Sequence, residues 1–355
     1  LASTWPTEIT FLRELVAIPS VSGNELPAAE FVELTARRLG LDVVRDETSV
    51  RVAVGDESAG PTLAFATHLD VVPPGEGWTR DPFVPVIEGD LLFGRGSGDA
   101  KASVAAMLHA LADLAGRPLA GRALGLFTYG EETRNATMPM AVERAGRLDA
   151  ALVGEPTNLQ LAVAQRGLMM VDLLAHGDQH HAGYAGGIGF VNAIALLARE
   201  IVKLDGIVAE RIHPVLGMTT VTPTMLEAGV SRNVTPPMAR AVLDIRSTPA
   251  WSHDELAAAL SERLDCEVVV TSTRLVPSET PAGSRLLAAA QSVAPDAECY
   301  GSPTCSDWCY LRHLDAIKVG PGTSRRSHTP DESVNLSEVT AARQFYARVA
   351  EEYLR

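Results

Sequence analysis

The stretch PTLAFATHLD, Pro61–Asp70, decides how the rest of the chain is read. Leu63, Ala64, Phe65 and Ala66 form a short apolar run, with Pro61 before it and Pro73 and Pro74 after it, the pattern of a strand buried on both faces. Side chains alternate faces along a strand, so a backbone that stays extended delivers His68 and Asp70 to the same side. A histidine and a carboxylate at the end of an interior strand suit a metal site. They equally suit a histidine hydrogen-bonded to an aspartate at a loop entrance. The choice depends on what else the chain brings to that point.

Working outward, residues 8–18 and 27–40 carry apolar side chains at helical spacing, and LDVVRD before the quoted stretch is extended. Residues 71–98 are rich in Pro and Gly and read as a long loop with a short strand, leading through GRGSGD to Asp99. Lys101–Ala115 is a predicted helix with Val104, Met107, Leu108, Leu111 and Leu114 on one face, and His109 is an ordinary residue of it. Arg122–Thr128 is another interior strand, running into Tyr129-Gly130-Glu131-Glu132. Ala150–Val153 is a third, ending at Gly154-Glu155-Pro156. Strands alternating with helices, and polar residues at strand C-termini, give an α/β fold whose ligands bind beyond the strand ends.

From about residue 165 the rhythm changes. Strands at 167–175, 218–226, 239–246 and 267–273 and helices at 190–204 and 251–264 follow the order βαββαβ, a ferredoxin-like split unit. The second helix opens with Ser252 and Glu255 in a capping box, and His253 in its first turn carries no chemistry. The α/β pattern returns after Pro277, with a helix at 284–293, a strand at 316–319, the turn Gly320–Gly322, Ser327-His328-Thr329 and a last helix from near Asn335. The expected fold is a catalytic domain with a mixed central sheet (1–165 and 278–355) and an inserted ferredoxin-like domain (166–277). The run GYAGGIG, Gly183–Gly189, has the wrong spacing for a phosphate cradle and reads as a flexible loop.

The chain has 355 residues, 46% of them hydrophobic, which suits two globular domains. Its 30 basic against 44 acidic residues, a net charge of −14, disfavour a nucleic-acid surface. No apolar run is long enough to span a membrane. Cys266, Cys299, Cys305 and Cys309 form no CxxC pair and read as buried thiols, so the expected location is a reducing cytoplasm.

Five candidate ligands thus stand at the ends of elements: His68, Asp99, Glu132, Glu155 and His328. Each alone is weak; their shared placement at the mouth of one sheet is the signal. Nitrogen and oxygen donors without cysteine suit a catalytic zinc better than a structural one.

The segments THLDVVPPGEGWTRDPF, GRGSGDAKAS, GEET, VGEPT and SHTPDE occur in this order. They resemble the zinc hydrolase family of acetylornithine deacetylase, succinyl-diaminopimelate desuccinylase and carboxypeptidase G, over essentially the whole chain. VGEPTNLQLAVAQRGLMMVD and YGSPTCSD with VGPGTSRRSHT look closest to the acetylornithine deacetylase branch. The resemblance implies two zinc ions per subunit, with cobalt as a substitute. His68, Asp99 and Glu155 would hold one, and Asp99, Glu132 and His328 the other. It implies Asp70 as the residue that fixes the tautomer of His68, and Glu131 as general base and acid. His181 matches a histidine that reaches across a homodimer, formed through the inserted domain, to stabilise the oxyanion. The chain departs from the pattern there, having His180 where the family has Gly, so either histidine could serve. Asn233 and Arg246 match residues that grip a substrate α-carboxylate, and Arg326 and Gly320 are further substrate-binding candidates. Substrate preference is expected to depend on the loops around Thr304, Asp307 and Arg326. Gly130 stands where the family has an acidic residue, a change expected to loosen the turn that aims Glu131. The expected partner is a small N-acyl amino acid, foremost N2-acetylornithine. Succinyl-diaminopimelate, a carrier-linked lysine or ornithine, and a dipeptide are alternatives.

Overall fold

A computed structural model of the chain describes residues 5–133, 135–184 and 189–355; part of the GYAGGIG loop, 185–188, lies outside the described residues. In chain order the main strands are β1 (Asp42–Arg45), β2 (Ser49–Gly55), β3 (Thr62–His68), β4 (Arg122–Thr128), β5 (Ala150–Val153), β6 (Leu161–Gln165), β7 (Leu168–His176), β8 (Thr220–Ala228), β9 (Met238–Arg246), β10 (Glu267–Leu275) and β11 (Asp315–Lys318). The helices are α1 (Thr7–Val16), α2 (Leu26–Arg38), α3 (Lys101–Leu114), α4 (Thr137–Ala145), α5 (Ala193–Val208), α6 (His253–Arg263), α7 (Arg285–Val293), α8 (Trp308–Leu311) and α9 (Leu336–Tyr353).

The chain divides into two units, one of residues 1–163, 280–300 and 306–355, the other of 164–279 and 301–305. The first is built on a mixed sheet whose path runs β1-β2-β4-β3-β5-β11-β6. β3 lies parallel to β4 and β5, and β11 lies parallel to β5. β2 and β6 join antiparallel to this centre. Every residue of β3 is buried, because both faces of the sheet are covered. Leu63 and Phe65 pack into a core shared with α1, α2, α3 and α9, while Ala64 and Ala66 face a second core containing Met138, Trp308 and Leu311. The parallel centre puts the C-terminal ends of β3, β4 and β5 at one edge of the sheet, and the strands stop there at His68, Thr128 and Val153.

The second unit carries a four-stranded antiparallel sheet in the order β8-β9-β7-β10, with α5 and α6 supplying its core. The chain order β7-α5-β8-β9-α6-β10 is the split βαββαβ unit. The Ser252–Glu255 capping box forms as its sequence predicts. Helix α5 starts later than its apolar pattern suggests, because Asn192 caps it by accepting the Ala195 N–H. That shift turns Ala193, Leu197, Leu204, Ile207 and Val208 inward and leaves Val191 and Ile194 exposed. The 71–98 segment holds two short strands, Val86–Glu88 and Leu91–Phe93, where the sequence suggests one; each turn pairs them within a small sheet. His109 and His253 are structural as expected. His109 bonds the Ala105 carbonyl at 2.9 Å, and His253 bonds Ser247 at 2.7 Å and the Thr273 carbonyl at 2.9 Å. None of the four cysteines forms a disulfide among the described residues, and only Cys309 is buried; Cys266 and Cys305 are half-buried and Cys299 is exposed, which corrects the expectation of four buried thiols. No helix among the described residues is long and apolar enough to cross a membrane.

Candidate metal centre

His68 ends β3 and is buried; its Nδ1 lies 3.0 Å from the Asp70 backbone carbonyl. A carbonyl can only accept, so Nδ1 carries a proton and Nε2 faces the acidic cluster. Nε2 lies 3.4 Å from Asp99 Oδ1 and 3.9 Å from Glu155 Oε1. On the other side, His328 Nε2 lies 2.8 Å from Glu132 Oε1 and 3.5 Å from Asp99 Oδ2. Donor atoms of His68, Asp99 and Glu132 fall within 4.8 Å of one another. The two oxygens of Asp99 therefore face two different histidines. Five residues spread over 260 positions of sequence are gathered because the β3, β5 and 327–329 segments end at the same edge.

Asp70 does more than its sequence spacing suggests. Its carboxylate accepts the backbone N–H of Glu131 at 3.0 Å, that of Glu132 at 3.1 Å and the Ser22 hydroxyl at 2.7 Å. Its contact with His68 Nδ1 is longer, 3.4 Å, so the carbonyl is the nearer partner of the imidazole and the carboxylate mainly ties down the two-glutamate turn. Gly130 sits at φ +69°, a left-handed conformation that glycine adopts without strain, and Asn135 N–H closes the turn onto the Gly130 carbonyl at 2.8 Å. The turn is thus held from two sides, which corrects the expectation that Gly130 loosens it.

A buried carboxylate the sequence reading did not assign lies beneath this turn. Asp307 accepts from Thr128 Oγ1 at 3.2 Å and from Asn135 Nδ2 at 2.6 Å. Asp307 is fully buried, so it does not belong to a substrate-selecting loop surface. Its position within the quoted segment YGSPTCSD was the available signal.

The electrostatics call for a cation. Burial, and then the charge of Asp99, push the Glu155 carboxyl up to about 8. Burial pushes Glu131 well above the carboxylate range, with Asp307, Glu155 and Glu132 adding to the effect against His68. Burial alone would depress the His68 imidazole, but bonds to Asp70 and Asp99 drive its pKa well above the ordinary value. The His328 imidazole is raised by its bond to Glu132. Carboxylates crowded into a water-poor site repel one another unless positive charge sits among them. The donor set is all nitrogen and oxygen, which fits zinc in a catalytic setting.

Of the remaining candidates, Arg326 is exposed in the 323–329 turn, its Nη1 3.4 Å from Ser333 Oγ. Gly320 is buried. Its N–H donates to Thr157 Oγ1 at 3.1 Å and its carbonyl accepts from Leu159 N at 3.0 Å. A Cβ there would stand 2.6 Å from the Glu155 carbonyl oxygen, so this glycine is required by close packing and offers a substrate no free backbone group, a correction to its expected binding role. His180, His181, Asn233 and Arg246 belong to the second unit. His181 bridges to Val234, and Asn233 O accepts from Ala182 N at 2.8 Å, so these two lie together just before β9. Arg246 closes β9 at the other end, its guanidinium held by Asp244 at 2.8 and 3.1 Å. The strand between them spans roughly 30 Å at ~3.3 Å per residue, so within one chain Asn233 and Arg246 do not meet on one carboxylate.

A family model described as Peptidase family M20/M25/M40 matches residues 64–352. A protein from Methylorubrum extorquens named succinyl-diaminopimelate desuccinylase is 30% identical over 97% of this chain and 98% of its own length. One of the same name from Methylorubrum populi is 29% identical over 96% of both. Among solved structures, an M20 family metallo-carboxypeptidase from Sulfolobus solfataricus superposes with a TM-score of 0.76 at 19% identity, covering 98% of this chain and 99% of that one.

Proposed function

The chain belongs to peptidase family M20/M25/M40 and is a metal-dependent amidohydrolase, and from that premise we propose that it hydrolyses the amide bond of an N-acyl amino acid at the His68–Asp99–Glu132–Glu155–His328 centre. The observation that carries the reading is the pairing of Asp99 with two histidines, one at each oxygen, beside the half-buried Glu131. His68, Asp99 and Glu155 would hold one zinc ion and Asp99, Glu132 and His328 the other. When bound, two such ions lower the pKa of a water and polarise the amide carbonyl.

The chain's own residues supply the remaining chemistry. Glu131 takes a proton from the attacking water and passes it to the departing amine nitrogen as the C–N bond breaks. Asp70 and Asp307 keep that carboxylate aimed by fixing the turn that carries it. The oxyanion needs an N–H donor. His181 suits this role because its Nδ1 accepts the Gly183 N–H at 3.0 Å, which leaves the proton on Nε2. His180 is the weaker choice, its ring lying 5.1 Å from that of Phe190. Arg246 pairs with the substrate carboxylate. The separation of His181 and Asn233 from Arg246 along β9 supports a site completed across a homodimer, with the histidine and asparagine coming from a second copy.

On the substrate, the curated relatives support a succinylated diamino acid over N2-acetylornithine, since both named above are desuccinylases. The test is a side-by-side kinetic panel on the zinc-loaded protein: N-succinyl-LL-diaminopimelate, N2-acetylornithine, a glutamyl-linked lysine and a simple dipeptide. The succinyl compound is expected to show the highest kcat/KM. Preference for acetylornithine by tenfold or more would return the reading to the deacetylase branch, and inactivity on all four, with zinc bound, would remove the N-acyl amino acid reading.

A further inference from the structure

The segment SHTPDE contributes His328 to the metal centre, but its last residue has no part in the chemistry described so far. Glu332 is 1% exposed and its carboxylate is fully occupied. Oε2 accepts from Arg95 Nη1 at 2.7 Å and Gly96 N at 3.0 Å; Oε1 accepts from Gly98 N and Asp99 N, both at 3.0 Å. Three of the four backbone N–H groups of the loop 96–99 therefore converge on one side chain from more than 230 residues away. Arg95, also 1% exposed, returns the contact to a third loop through Nη2 and the Pro74 carbonyl at 3.1 Å, with its guanidinium over Trp78. The neighbouring Asp331 binds Thr79 of that same loop through its backbone N–H at 3.1 Å and its hydroxyl at 2.8 Å.

We propose that Glu332 is a positioning residue that aims the Asp99 carboxylate at both cation positions and ties the Asp99 loop to the loop carrying His328. The reading rests on the two-cation centre proposed above. The physical reason is geometric. Asp99 must offer one oxygen to each half of the centre, which demands one orientation of its main chain. Holding the N–H groups of Gly96, Gly98 and Asp99 on one buried carboxylate fixes that orientation. A neutral side chain cannot do this, since an amide presents N–H groups to one of the two donor pairs. A shorter carboxylate cannot span both pairs. Because Asp99 serves both halves, losing this anchor weakens both ions together, whereas loss of a terminal ligand such as His328 chiefly weakens one.

The test measures metal affinity and stability, with turnover as a secondary reading. Wild type, Glu332→Gln, Glu332→Asp and Asp113→Asn are stripped of metal, and their Tm values are recorded. Zinc is then titrated against a chromophoric chelator, and cobalt is added for its visible absorption spectrum. Asp113 ties α3 to α9 through Arg343 at 2.7 Å, away from the metal loops, and serves as a control for simple destabilisation. Glu332→Gln is expected to lower affinity at both positions by about 10–100-fold, the range for groups that orient metal ligands, and to alter the cobalt spectrum. Glu332→Asp should fall between, and Asp113→Asn should lower Tm without changing affinity. Unchanged affinity at both positions in Glu332→Gln, with only a lowered Tm, overturns the inference. If that variant does not fold, unchanged affinity in Glu332→Asp does the same. A wild type that binds no zinc would instead sink the metal-centre reading itself.

Discussion

Asp70 and Asp307 act on the same short turn from opposite sides, yet neither is a metal ligand. One accepts the backbone N–H groups of Glu131 and Glu132; the other grips Thr128 before the turn and Asn135 after it. This separates two adjacent glutamates into two jobs. The side chain of Glu132 reaches His328, while Glu131 stands half-buried among carboxylates, with desolvation and then the charges of Asp307, Glu155 and Glu132 raising its pKa against His68. A carboxylate made more basic in this way is a better proton acceptor, which a transfer agent requires. Glu131→Gln is nearly isosteric and is expected to lower kcat by about 10²–10⁴-fold, the contribution typical of general acid–base groups, while zinc content by elemental analysis stays at the wild-type value. Retained kcat would exclude the role. The family resemblance carried by the motif order assigns Glu131 as the non-ligating member, and the kcat test above decides that role. The role of Asp307 was not legible in the sequence: its place in the segment YGSPTCSD marked it, but its partners Thr128 and Asn135 lie more than 170 residues away.

At the level of elements, the sheet edge that bears the metal centre is backed by α1, α3 and α9, which one arginine holds together. Arg343 on α9 pairs with Asp113 on α3 and with Glu8 on α1, the latter at 2.6 Å. Glu8 is buried, which by itself raises its pKa, but its backbone bond, the Thr340 hydroxyl and Arg343 bring the net value below the ordinary one. A carboxyl whose folded pKa is depressed adds stability above the unfolded pKa of about 4.3 and loses it as pH falls through the folded value. Glu8→Gln is therefore expected to be less stable than wild type by about 2 kcal/mol at pH 7, the scale of a charge-assisted hydrogen bond. In urea unfolding the gap should close progressively below about pH 4.3. A gap that persists to pH 2 would place the effect in packing. The helices themselves were readable from apolar spacing, although α3 is buried on nearly all sides and not along the single face its spacing predicts. Their being pinned by one half-buried arginine was not readable, because both its partners lie over 200 residues from it.

For the whole molecule, the second unit leaves apolar groups in water: Leu226 and Met225 on β8 are 65% and 53% exposed, and Val202 on α5 is 82% exposed. β8 is also an edge, paired only with β9. Unprotected edges with apolar side chains are sites of association, which agrees with a second copy completing the site. Leu226→Lys is expected to sediment as a monomer and to lose activity while keeping its zinc; a wild type that is fully active as a monomer would discard the dimer.

The sequence alone determined that strands end in ligand-type residues and that a βαββαβ unit interrupts the α/β chain, because periodicity and motif order are local properties of a chain. Only the tertiary structure decided how the turn bearing Glu131 is held, that Gly320 is there for packing, and that Glu332 organises the loop of Asp99. Those facts depend on hydrogen bonds between residues distant along the backbone, and no local pattern records where a folded chain will bring them.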